Sequence, residues 1–127
     1  MSYRIAIASS NGESVDQHFG QAQNFLIYQV GSTGVDFVED REAQLTQSKT
    51  PHWEENLKRL VKLLEDCSAI FVLKIGARSS RYLQLHNISI FEVNFSLNHI
   101  FTTLIKKQQQ GRVRILRENK QKQNHPD

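Results

Sequence analysis

The stretch CSAIFVLKIG, residues 67–76, decides the architecture. A half-solvated strand alternates apolar and polar residues, whereas an apolar run stopped by a glycine is what a strand covered by helices on both faces looks like. Such a strand needs helices around it, and the neighbouring sequence supplies them. Upstream, Trp53, Leu57, Leu60, Val61 and Leu64 fall on one helical stripe, with Thr50 as N-cap and Pro51 in the first turn, where its missing N–H costs nothing. Downstream, a second helix is expected from Ala77 to His86. A further strand follows at Ile88–Val93, and then a helix capped by Ser96 that carries Leu97, Ile100, Phe101, Leu104 and Ile105 and stops at Gly111.

The N-terminal third has a different pattern. Tyr3–Ser9 is a short apolar run ending in the turn signal Ser9-Ser10-Asn11-Gly12. Asn24–Val30 is rich in strand formers and closes on Gly31-Ser32-Thr33-Gly34. Val35 and Phe37 then alternate with polar residues, so the pair reads as a hairpin whose second strand lies at an edge. Three strands in an antiparallel meander, then two parallel strands reached by right-handed helical crossovers, predict an α/β domain with a five-stranded mixed sheet. The strand order is 3-2-1-4-5, with helices on both faces, and it resembles the ribonuclease H-like topology.

The 127 residues suit one domain. Hydrophobic residues at 39% and charged residues at 23% give a globular balance. The formal net charge of +3 is unevenly placed: Arg112, Arg114, Arg117, Lys120 and Lys122 all follow Gly111, and the preceding part is neutral. We expect a folded unit at 1–111 and a basic, solvated tail at 112–127. No apolar run reaches membrane-spanning length and no signal-peptide layout is present, so the chain reads as cytoplasmic with no membrane partner. Cys67 is the single cysteine, which excludes an internal disulfide or an all-cysteine metal site. It is expected to be a small core residue at the start of the fourth strand, roughly 25 Å from Gly76 at about 3.3 Å per residue.

Ligands of open sheets with parallel strands sit beyond the strands' carboxyl ends. The loop after the first strand contains VDQHFG, residues 15–20, and the turn after the fourth is Ile75-Gly76-Ala77-Arg78. These segments are expected to meet. Gly76, the helix start at Ala77 and Arg78 favour an anion. Ser9, Ser10 and Asn11 offer small hydrogen-bonding groups, and His18 offers a neutral imidazole to a metal. Asp16 is expected to orient that ring, Gly20 to let the chain turn away, and Phe19 to plug the core. His52, His86 and His99 read as surface or helix-end residues.

The stretch RIAIASSNGESVDQHFGQAQNFLIYQV, with DCSAIFVLKIGARSSRYL after the first helix, resembles the dinitrogenase iron-molybdenum cofactor biosynthesis family over roughly residues 3 to 107. The resemblance implies a non-catalytic carrier or chaperone for an iron-sulfur precursor cluster or the finished iron-molybdenum cofactor, bound transiently. Its partners would be nitrogenase cofactor assembly proteins or apo-nitrogenase; nucleic acid is not an expected partner, the basic tail offering the one electrostatic contact that would suit it. The histidine of the family's HFG motif is His18 here, the implied cluster ligand. Some relatives carry cysteines between the third strand and the first helix, while residues 40–50 here contain none.

Two other classes compete with this reading. A metal-dependent nuclease needs carboxylates converging on divalent cations, and neither central strand carries one. A non-catalytic regulatory or adaptor domain, binding a small anion or a protein partner, remains the alternative.

Overall fold

The structure is a computed structural model that describes residues 2–43 and 53–109. Thr50, Pro51, His52, Gly111 and the basic tail lie outside the described residues. The chain forms β1 (Tyr3–Ile7), β2 (Asn24–Gly31), β3 (Gly34–Glu42), α1 (Trp53–Leu64), β4 (Ala69–Val72), α2 (Ala77–Leu85), β5 (Ser89–Glu92) and α3 (Leu97–Gln109). The sheet order is β3-β2-β1-β4-β5, as the crossover argument requires. β1 pairs antiparallel with β2 and parallel with β4, and β4 pairs parallel with β5.

Helices cover both faces. On one, Leu57, Leu60, Val61 and Leu64 of α1 and Leu83 of α2 pack on Ala6, Phe25, Ile27, Ile70 and Val72. On the other, Leu97, Ile100 and Leu104 of α3 pack on Ile5, Ile7, Val30, Ala69 and Phe71. All four residues of β4 are buried, which explains the unbroken apolar run. Ser96 caps α3 as expected, its Oγ accepting the His99 N–H at 3.1 Å.

β3 lies at an edge and is longer than the alternation of Val35 and Phe37 suggests. Its register shifts between Ile27 and Tyr28, which leaves Val38 without an opposite residue. The bulge sends Val38 to one core and Val35 to the other.

β4 is shorter than the apolar run. Cys67 and Ser68 precede it as buried turn residues, and Leu73–Ile75 follow it without joining β5. There the chain changes partner. The Leu73 N–H donates to the Gln17 carbonyl at 3.0 Å, and the Lys74 carbonyl accepts the Phe19 N–H at 2.8 Å.

Candidate functional site

After β1 the chain turns tightly on itself. Ser9, buried, accepts the Gly12 N–H on its Oγ at 3.0 Å and donates to Asn11 Oδ1 at 3.2 Å. Asn11 Oδ1 also accepts the N–H groups of Glu13 and Ser14 at 2.8 and 3.1 Å. Gly12 has φ +73°, a conformation that favours glycine. Asp16 does not reach the histidine ring as expected. Its two oxygens accept the Ser10 N–H at 2.9 Å and the Ser10 Oγ–H at 2.5 Å, because an aspartate six residues on is placed to close this turn.

The returning segment is fixed at two depths. Ser14 pairs antiparallel with Ser96, and His18 pairs in parallel with Lys74. Between them Val15 is buried under α3, and just past His18 the Phe19 side chain is buried on the opposite face, its ring 6.0 Å from that of Phe25. Phe19 therefore plugs the core, and His18, with an anchor on its C-terminal side, is left exposed.

His18, Gly20, Gln21, Lys74, Ile75 and Gly76 line an open cleft of about 400 Å³. The loop after β1 and the turn after β4 thus meet, as the topology predicts. Gly76 is the N-cap of α2 with an extended backbone (φ −72°, ψ 155°), and it brings no side chain of its own to cap the helix. A Cβ at Gly20 or Gly76 would meet nothing within 4 Å, and neither glycine has positive φ. Packing and backbone conformation therefore do not demand glycine at either position. What the missing side chains do is keep the cleft open.

The other residues singled out in the sequence are arranged less directly. Ser9, Ser10 and Asn11 build the turn beneath the segment and do not line the cleft. Ala77 is exposed at the first position of α2. Arg78 lines a separate groove between α1 and α2 with Leu57, Lys58, Tyr82 and Leu85. Lys74 and Gln21 went unselected in the sequence, and so did Glu92, whose Oε2 accepts the Ile75 N–H at 2.9 Å and fixes the turn.

Among the described residues, no three or more His, Cys, Asp or Glu side chains converge as a metal-binding group. Cys67 is remote from the cleft, buried beyond the amino end of β4, and burial pushes its thiol up to about 12. At that end Arg41 grips Asp66 through two bonds of 2.8 and 2.9 Å, and Arg4 adds a third at 3.0 Å. Hydrogen bonding to Arg41 holds the Asp66 carboxyl down at about 2.

No helix of the described residues is long and apolar enough to cross a membrane.

The chain is similar to known proteins in both fold and sequence. The crystal structure of PH0822 superposes with a TM-score of 0.63 at 21% identity, covering 81% of this chain and 90% of that one, a likeness of fold alone. Protein NifX of Rhodobacter capsulatus is 35% identical over 80 residues, covering 61% of this chain and 50% of NifX. The FeMo cofactor biosynthesis protein NifB of Herbaspirillum seropedicae is 33% identical over 76 residues, covering 60% of this chain but 14% of NifB. The chain thus spans about half the length of one of these curated relatives and a small part of the other. The family model described as dinitrogenase iron-molybdenum cofactor matches residues 1–107, the β1 loop, the cleft, α1, α2 and most of α3 among them, and the chain belongs to that family.

Proposed function

We propose that this protein is a non-catalytic carrier in nitrogenase cofactor assembly that transiently binds the iron-molybdenum cofactor or its iron-sulfur precursor in the His18 cleft. The observation that carries the reading is the backbone pairing of His18 with Lys74, which sets an exposed imidazole at an open cleft beside the start of α2 at Gly76.

The donor set suits a preassembled cluster as cargo. A bare metal ion needs several protein ligands, and one exposed imidazole, with no converging carboxylates or thiolates among the described residues, does not enclose it. A cluster brings its own sulfides, so a single histidine can hold one of its metals. His18 supplies that bond, and the positive end of the α2 dipole, which starts after Gly76 at the cleft, favours the anionic charge. Ser9, Ser10, Asn11 and Asp16 support the segment from below. Few ligands mean easy release, which suits handing cargo to cofactor assembly proteins or apo-nitrogenase.

The meander followed by two parallel crossovers supports classing the fold as ribonuclease H-like, with residues 1–111 as the binding unit and 112–127 as an appendage. The test is an anaerobic titration of native and His18→Ala protein with isolated cofactor. Native protein should take up the cluster's brown absorbance and comigrate with it, and the variant should bind at least tenfold more weakly. Equal binding by the two would remove His18 from the site.

A further inference from the structure

We infer that Lys74 is the charge-selecting residue of the cleft: its ammonium faces the anionic surface of the cargo whose metal His18 coordinates, so the site takes net-negative clusters in preference to hydrated metal cations. The inference rests on the carrier reading above.

The first observation is geometric. His18 and Lys74 are partners in a parallel bridge, and such partners stand about 4.8 Å apart with side chains on the same side of the backbone. Both line the cleft. The Phe19 N–H to Lys74 carbonyl bond fixes the register, so neither residue can slide away from the other.

The second is electrostatic. Lys74 is exposed and, among the described residues, its ammonium has no ion-pair partner. The ion pairs of Arg4 and Arg41 with Asp66 and Glu39 lie away from the cleft, toward the amino ends of β1 and β4. Glu92 bonds the same turn, but to the Ile75 N–H, so it braces the backbone. An unspent positive charge beside an imidazole repels a metal cation and attracts an anion, and because the cleft is open that attraction should weaken as salt rises.

The third is positional. A lysine inside a strand buried on both faces would be costly, but the strand ends at Val72, and Lys74 occupies the first turn where a charged side chain can reach the ligand end of the sheet.

The test uses a defined probe, a water-soluble four-iron, four-sulfur cluster with four thiolate ligands and a net charge of minus two, titrated anaerobically at low and high salt. On binding, the His18 imidazole replaces one thiolate on iron; the thiolate leaves with its electron pair and no iron changes oxidation state. Native, Lys74→Gln, Lys74→Arg and His18→Ala proteins are compared, with circular dichroism confirming the fold and zinc chloride as the cationic control. Lys74→Gln should weaken cluster binding about tenfold at low salt, with the difference shrinking as salt rises. Lys74→Arg should stay within about threefold of native, and zinc binding should be unchanged or tighter in Lys74→Gln. Cluster binding by Lys74→Gln with native affinity and native salt dependence would overturn the inference. Retained binding by His18→Ala with loss in Lys74→Gln would sink the ligand assignment but keep charge selection. No binding by native protein would remove both.

Discussion

Replacing Phe19 by alanine tests whether the histidine is mounted on the core or merely tethered near it. Phe19 is 2% exposed and packs against Phe25 within the cluster covered by α1 and α2. A buried phenylalanine removes about 150–250 Å² from water, roughly 4–6 kcal/mol at about 25 cal/mol per Å², which is an upper bound. Measured truncations of this kind cost about 3–5 kcal/mol, and a site on a connecting segment relaxes more than one in a strand, which favours about 3 kcal/mol. With a urea slope of about 1.5 kcal/mol per molar, the unfolding midpoint should fall by about 2 M. The functional loss should exceed the folding loss: at low denaturant, where the variant is still folded, cluster affinity should drop tenfold or more because the imidazole has lost its anchor. Phe19→Leu, which keeps most of the volume, should cost less than about 1.5 kcal/mol and retain binding. A midpoint shift under about 0.5 M in the alanine variant would mean that the ring does not plug the core and that the rigid mounting of His18 is an error.

Asp66 has its carboxyl held at about 2 against an ordinary 3.8, so its stabilising contribution is complete above about pH 4 and fades as pH falls toward 2. Because the side chain is 42% exposed, the expected contribution is about 1 kcal/mol, and Asp66→Asn should flatten the acid limb of a stability-versus-pH curve by that amount. Cys67, with its thiol pushed up to about 12 by burial, should resist iodoacetamide at pH 8 in the native protein and react at the rate of unfolding; fast labelling without denaturant would contradict its placement. Gly20→Ala should leave the thermal midpoint unchanged or slightly raised, since no clash or positive φ opposes it, while weakening cluster uptake by filling the cleft mouth. A falling midpoint with unchanged uptake would show that Gly20 serves the fold.

The strand order was legible because hydrophobic period and connection length both point one way: the run at 67–76 demands burial on two faces, and the stripe from Leu57 to Leu64 and that from Leu97 to Leu104 supply the covers. The meeting of the two loops followed from topology alone. What local pattern could not convey was where β4 ends. Leu73 and Ile75 are apolar like the residues before them, but their backbone pairs across to residues 17–19, a long-range exchange that leaves no periodic mark. One signal was present. Lys74 is the only charge in the run, and a charge there means that the strand has already left the buried sheet. Asp16 was misjudged for a related reason: its nearness to His18 in sequence suggested a contact, while the turn at Ser10 offered it an N–H and a hydroxyl closer in space.

The segment from Glu13 to Phe19 is stitched on one side to the start of α3, where the Leu97 N–H reaches the Glu13 carbonyl and the Val15 N–H reaches that of Phe95, and on the other to the end of β4. A stretch bound along both flanks is poorly placed to swing shut over the cleft. On the proposed carrier reading, transfer should then be associative, an incoming ligand attacking through the exposed side, and its rate should rise with the recipient's concentration instead of saturating at the rate of a gate.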